Sequence, residues 1–395
     1  MRAVTVALDT PGLELDDVAG GDGMLFVRDG IGVAGRGVAA RVSIDDAPAL
    51  LASIDHDDRV GGRSPIALGA VPFEPGRSAT LVVPALLVGV AADGTRWVTR
   101  IEGGDEPAPD LSPAPRPSPR AQRFDVGPLT PIDRYLSAVV AARDAVRDGS
   151  LLKAVIAREV SVRSDEPIDV HAVLLRLRAS FGSSHRYSID GLVGASPELL
   201  VSVTGDVVRS HPLAGTAPRT GDPATDDRIA EQLVASTKDQ VEHRVVIDMI
   251  HDTLLPWCSY LDWEPEPSIV RVANVQHLGT AMEGRLSDPR PDVLELVRAL
   301  SPTPALGGFP RAEALQLIAE HEGFDRGRYG GAVGWVDARG DGTWAVTIRC
   351  AELSDDRCSA RLVAGGGIVA ASDPSAELAE TQAKLQAMLS AIVRP

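Results

Sequence analysis

The sequence predicts an α+β fold, and three observations carry the prediction. Strand-like segments come in hairpin-sized pairs rather than alternating singly with helices. Long runs with helical periodicity stand apart from them, chiefly at 226–257 and 373–393. The literal G-x-G-x-x-G at "GIGVAG" (30–35) leads into the strand-like "RGVAARVSI" rather than a helix, so it reads as a hairpin turn and not as the phosphate loop of a doubly wound sheet.

Taken in order, "GMLFVRDGIGVAGRGVAARVSI" and "SATLVVPALLVGVAADGTRWVTRI" read as paired strands with glycine-containing turns. "DDAPALLASID" reads as a helix opened by an Asp cap. "GGDEPAPDLSPAPRPSPRAQ" (103–122) is too rich in Pro and Gly to propagate a helix or a ladder and reads as a surface linker or long loop. "TPIDRYLSAVVAARDAVRDGS" is an amphipathic helix with Pro near its start and Gly at its end. "LKAVIAREVSVRS" follows as a strand, "VHAVLLRLRASF" as a helix, and "HRYSIDGLVGASPELLVSVTGDVVRSHPL" as strands joined by turns. "DDRIAEQLVASTKDQVEHRVVIDMIHDTLLPW" is the longest helical stretch, broken at Pro256. "GGAVGWVDARGDGTWAVTIRCAELSDDRCSARLVAGGGIV" reads as a meander of three strands, and "DPSAELAETQAKLQAMLSAIV" as a closing helix capped by Asp or Ser.

The 395 residues leave room for a large buried core. Aromatics make up only 4%, so stacking on bases does not dominate recognition. A net charge of −16 argues against nucleic acid or an anionic membrane as partner. A small anionic substrate stays open if cations or a metal gather locally. Three cysteines without a CxxC pair favour a reducing compartment over disulfides or structural zinc. The apolar run Ala3–Leu8 is too short for a secretory core, and no uncharged run approaches the ~20 residues that span a bilayer. A soluble, cytoplasmic protein is expected.

Several acids and bases stand out against this background. Glu198 sits in the apolar run "VGASPELL", and a carboxylate there needs a reason. Asp239 and Glu242 in "KDQVEH" share a helix face, as do Glu377 and Glu380 in "ELAETQAK", with Lys384 on the same stripe. That stripe borders the apolar one of Leu378, Leu385, Met388, Leu389 and Ile392. Either pair alone reads as a solvated charged face; two pairs facing each other would suit Mg²⁺. Lys153, heading an apolar strand, is an ordinary strand-end lysine or a desolvated base. "AGGGIV" (364–369) allows backbone N–H groups to approach an anion, or is a bulged strand end. His243 and His277 lack HExxH spacing and read as core or supporting residues.

Together, "ALGAVPFEP", "GASPELL", "HPLAGTAPR", "KDQVEH", "SPTPALGGFP", "FDRGRYGGAVGW", "TIRCAEL", "AGGGIV" and "ELAETQAKL" resemble, in order, the blocks of the chorismate-utilising enzymes, most closely the isochorismate synthases. The resemblance covers most of 60–395 and leaves 1–60 and the Pro-rich loop unmatched. It implies one intertwined domain over 1–395: a variable part (1–102), the loop (103–122) and a catalytic core (123–395). Its fold would be two large antiparallel sheets packed face to face with helices outside and a cleft near the C-terminal helix. It also implies that Glu242 and Glu380 bind Mg²⁺ directly, with Asp239 and Glu377 supporting through waters. Arg349, Lys384 and the N–H groups around Gly365 and Gly366 would hold the enolpyruvyl carboxylate of chorismate. Gly215, Thr216, His277, Ala305 and Leu306 would complete the substrate pocket.

Family members that add ammonia typically carry Gln where this chain has Lys153. The aminodeoxychorismate enzymes place a nucleophilic Lys where it has Ala214. Ala305 and Leu306 match the isochorismate synthase pattern. The resemblance thus implies Lys153 as base and Glu198 as acid in water addition at C2 and loss of the C4 hydroxyl. A monomer without an amidotransferase subunit is expected. The alternatives are a salicylate synthase, which adds pyruvate elimination, and a non-catalytic nucleotide-binding module built on "AGGGIV".

Overall fold

The computed structural model describes residues 1–10, 12–118 and 122–394. Residues 119–121 of the Pro-rich stretch lie outside the described residues; its described part, 103–118, has neither helix nor strand. Twenty strands form one hydrogen-bonded network, and Leu213–Pro218, Ser268–Arg271 and Val275–Gly279 form a separate small sheet.

The large network resolves into two runs. One passes in space through Cys258–Trp263, Met282–Leu286, Val207–His211, Leu199–Thr204, Gly342–Val346, Ala332–Asp337 and Ile66–Val71. The other passes from Asp55–Asp58 and Arg2–Ala7 through Arg96–Glu102, Thr80–Val90, Ile31–Ser43, Met24–Arg28, His185–Ile189 and Leu192–Ser196. It continues through Cys350–Leu353, Ser359–Ile368 and Lys153–Ser164 to Phe124–Pro128. The runs join where Leu68 and Gly69 pair with Val82 and Leu81. Pairing is antiparallel except between Arg2–Thr5 and Asp55–Asp58. Strands from before residue 103 pair with strands from after 122, as Met24–Arg28 does with His185–Ile189 and Ile66–Val71 with Ala332–Asp337.

Period-2 alternation explains the layering. Met24 and Phe26 join a core shared by both runs, together with Val201, Trp344 and Ile156. Leu25 and Val27, one residue out of phase, join a second core under the helices Val170–Phe181 and Pro374–Val393. Strands buried on both faces are near-continuously apolar, as Thr80–Val90 and Leu192–Ser196 of the second run are.

Several sequence expectations are corrected locally. The long helical stretch is two helices, Pro223–Ala235 and Thr237–Leu254. Ser236 separates them in extended conformation and caps the second, accepting from the Asp239 N–H at 3.3 Å. A serine at this point offers the backbone a competing hydrogen bond that periodicity alone does not reveal. The C-terminal meander has four strands, because "TIRCAEL" bends at Arg349 (φ 51°) and splits what read as one strand. Asp46 occupies the N-cap of Ala47–Ala52, but its carboxylate accepts from Ser43 instead of capping. Asp373 is the cap of the closing helix. "GIGVAG" is the predicted hairpin, turning at Asp29 and Gly30, both with positive φ. The three cysteines are free, and no helix of the described residues is long and apolar enough to cross a membrane.

Candidate active site

One cleft gathers nearly every residue singled out above. It encloses about 790 Å³ of non-atom space, its open mouth included. Lys153, Glu198, Gly215, Thr216, Asp239, Glu242, His277, Ala305, Leu306, Arg349, Gly365, Glu377, Glu380 and Lys384 line it. Four elements supply the chemistry. Strand Lys153–Ser164 starts at the cleft floor with buried Lys153. The turn after Leu192–Ser196 brings Glu198. The helix Thr237–Leu254 presents Asp239 and Glu242, and the first turns of Pro374–Val393 present Glu377 and Glu380.

Gly366 is the exception, and register explains it. The Val155 N–H donates to the Gly307 carbonyl (3.0 Å) and the Ala157 N–H to Glu322 Oε1 (2.7 Å), both away from the glycine strand. Such residues form non-hydrogen-bonded antiparallel pairs, so their partners Gly367 and Gly365 also turn their N–H and C=O groups outward. Gly366, opposite Ile156, is held inside the ladder. Gly367, not Gly366, lines the cleft. At the open edge Lys384 Nζ donates to the Gly365 carbonyl at 2.9 Å.

The glycines serve clearance as well. A Cβ on Gly367 would stand 2.6 Å from Glu242 Oε1 and 2.7 Å from Lys153 Cε; one on Gly366 would stand 2.7 Å from Glu377 Oε2. Successive Cβ positions point to opposite faces of a strand. The closing helix therefore lies across the sheet from Lys153, and its polar side chains reach the cleft over that open edge.

Charges are arranged in pairs. Lys153 Nζ donates to Glu242 Oε1 at 2.7 Å, and Lys384 Nζ lies 2.5 Å from Glu380 Oε1. Burial works against the Glu242 carboxylate, but the charge and hydrogen bond of Lys153 outweigh it and hold Glu242 below its ordinary value. Glu377 is pushed up, first by burial and then by the charge of Glu380. Ser372 donates to Glu377 Oε1 at 2.7 Å, while the buried Oε2 has no partner. An all-oxygen donor set with an orphaned buried carboxylate oxygen fits a hard cation such as Mg²⁺. Among the described residues no three acidic, imidazole or thiolate groups close into a ready-made cage. A cation that keeps waters and takes one or two carboxylates plus a substrate oxygen does not need one.

Glu198 is the buried carboxyl whose proton is held most firmly toward neutral pH. It is 3% exposed, and burial raises its carboxyl to about 7, against a hydrogen bond from the Leu213 N–H (3.4 Å) and the charges of Lys153, Arg349 and Lys384. The raised value carries a stability consequence. The unfolded chain releases this proton near the ordinary 4.5, the folded chain near 7, so folding loses stability as pH rises through that window. The loss is about 3 kcal/mol by pH 8. Thermal melts should show Glu198→Gln more stable than wild type at pH 8 and level with it at pH 5; equal melting points at pH 8 would contradict the buried acid.

Opposite stand His277 and Arg349. Strand pairing sets His277 against Thr216. His277 Nδ1 lies 3.1 Å from the Gly215 carbonyl, an acceptor only, so Nδ1 carries the hydrogen and Nε2 presents a lone pair. Arg349 Nη2 is 3.4 Å from that nitrogen. Burial, then the charges of Arg349 and Lys384, push His277 down to about 3, so it is neutral. Gly215 takes φ +69°, where a Cβ would press on Asp239 Cβ at 3.2 Å. Arg349 faces the cleft, where its side chain meets His277 and forms no ion pair with a carboxylate among the described residues, which suits its fork to an anion.

Sequence reasoning missed Lys238, Tyr329 and Gly367, which also line the cleft. Lys238 precedes Glu242 by four on one helix face, a spacing that signals a shared location. Tyr329 stands in the quoted "FDRGRYGGAVGW" block, where a lone aromatic before two glycines was the available signal.

The chain is also similar to proteins of known family. A Mycobacterium tuberculosis protein provisionally named isochorismate synthase MenF is 43% identical over 344 residues, covering 84% of this chain and 87% of its own. Bacillus subtilis isochorismate synthase DhbC is 38% identical over 343 residues, covering 84% of this chain and 82% of its own. The solved structure of MenF, the menaquinone-specific isochorismate synthase of Escherichia coli, superposes with a TM-score of 0.82 at 23% identity, over 99% of this chain and 94% of that one. That last likeness is one of fold. The family model described as chorismate binding enzyme matches residues 85–393, which takes in every cleft residue described here. With that match and these relatives, the chain belongs to the chorismate-binding enzyme family.

Proposed function

We propose that this protein converts chorismate to isochorismate in a Mg²⁺-dependent reaction. The observation that carries the reading is a carboxyl held near 7 (Glu198) in one cleft with a buried lysine (Lys153), beside an arginine suited to an anion. The names of the relatives support it.

The chemistry balances as an isomerisation. A water oxygen bonds to C2 and gives its proton to the Lys153 amine. The C1–C2 double bond moves to C1–C6, and the C5–C6 double bond moves to C4–C5. The C4–O bond breaks, and Glu198 gives its proton to the departing hydroxide, which leaves as water. Each proton transfer contributes ~10²–10⁴-fold. Arg349 and Lys384 hold the enolpyruvyl carboxylate, and the neutral His277 fixes the Arg349 fork without adding a competing charge. Mg²⁺, held by Glu242 and Glu380 with Asp239 and Glu377 supporting through waters, would supply positive charge to fix the ring carboxylate and would compete with Lys153 for Glu242. Ala214 offers no nucleophile for an amine-transferring variant of the reaction. The setting we propose is cytoplasmic, with a small-molecule substrate and a single chain sufficient for turnover.

Incubation of the purified protein with chorismate and Mg²⁺, with products resolved by chromatography, tests the assignment. Isochorismate without pyruvate is expected. Salicylate with stoichiometric pyruvate would replace the reading by a salicylate synthase.

A further inference from the structure

We infer that the buried pair Glu322–Arg326 is a positioning device that sets the strand bearing Lys153 against the Ala305–Leu306 wall of the cleft. Both residues are 3% exposed. Arg326 Nε donates to Glu322 Oε2 at 2.8 Å, and Nη2 also bonds Glu322 Oε1. The remaining donors bridge two separate segments. Nη1 reaches the Leu306 carbonyl at 2.7 Å, and Nη2 reaches the Val155 carbonyl at 2.6 Å. Glu322 Oε1 in turn accepts from the Ala157 N–H at 2.7 Å. The Arg326 guanidinium lies 4.2 Å over the Phe73 ring, which fixes its plane.

Leu306 and Val155 both line the cleft, and Lys153 is two residues before Val155. These contacts occupy the guanidinium with protein acceptors, so the residue is not a substrate ligand. Its planar fork spans two carbonyls at a set separation. A lysine keeps the charge for Glu322 but cannot hold both carbonyls in one plane. The buried Glu322 pairs with the arginine and orients it, and removing either partner alone would leave an uncompensated buried charge. The clamp therefore sets how wide the slot is between Lys153 and the Leu306 wall, a dimension to which the placement of water against C2 is sensitive.

This rests on the chorismate reading above, and the test separates the two. The conservative variants are Arg326→Lys and Glu322→Gln; the second keeps an acceptor for the Ala157 N–H. For Arg326→Lys, kcat should fall about 10–100-fold with KM within about threefold of wild type. Amide hydrogen exchange should rise selectively in 153–157 and 303–309 in both variants, with the rest of the chain unchanged. Wild-type kcat in Arg326→Lys, or exchange rising uniformly over the whole chain, would overturn the inference. Should Arg326→Lys not fold, the exchange pattern and kcat of Glu322→Gln decide by the same criteria. A wild-type protein inert toward chorismate would overturn the proposed reaction, while local exchange would still decide whether the clamp joins these segments.

Discussion

Replacing Glu198 by Gln is expected to lower kcat by ~10²–10⁴ while chorismate still binds. Glutamine keeps the volume and the hydrogen bond from the Leu213 N–H but has no proton to give to the C4 oxygen. The pH dependence follows from the sign of the shift. Burial raises the Glu198 carboxyl to about 7, so the acid form is full below that and lost above it. Wild-type kcat/KM, which reports the free enzyme, should therefore fall on the alkaline side from about pH 7. In kcat the bound dianion moves this limb upward, since negative charge disfavours carboxylate. The residual rate of Glu198→Gln should lack this limb. Stopped assays across pH, with chorismate affinity from calorimetry, check both halves; a variant with wild-type kcat would remove Glu198 from its role.

Lys153→Ala is expected to abolish turnover to a similar degree and to cost stability besides. Lys153 is the hydrogen-bonded partner of Glu242, whose side chain is 11% exposed. Truncation leaves that carboxylate nearly buried and uncompensated, at a cost of about 3–5 kcal/mol without a metal. Millimolar Mg²⁺ should raise the melting midpoint of Lys153→Ala more than that of wild type, because the cation then has no ammonium to compete with. Melts with and without Mg²⁺ and with EDTA check this. An identical Mg²⁺ response in both proteins would argue that Glu242 is not where the ion binds.

How much of this was legible in the sequence varies by residue. The hairpin-rich α+β class was, because strands such as Met24–Arg28 and Ile31–Ser43 carry their turn in Asp29–Gly30. The unusual placement of Glu198 was legible from its apolar neighbours, and burial there raises its pKa. The helix break at Ser236 was not, since apolar periodicity continues across it and only a local cap interrupts the backbone. The exchange of Gly366 for Gly367 turned on ladder register, which depends on where Val155 and Ala157 send their N–H groups. That is tertiary information. The Lys153–Glu242 pair joins residues 89 apart, and only the fold brings them together.

In the proposed reaction solvent water attacks C2 as a proton passes from Glu198 to the departing C4 oxygen. Turnover of chorismate in ¹⁸O-enriched water, followed by mass spectrometry of the product, is the decisive experiment. Isochorismate heavier by one ¹⁸O at C2, formed by wild type and not by Glu198→Gln or Lys153→Ala, is the predicted result. Isochorismate carrying no solvent oxygen, or labelled product formed equally well without Glu198, would contradict it.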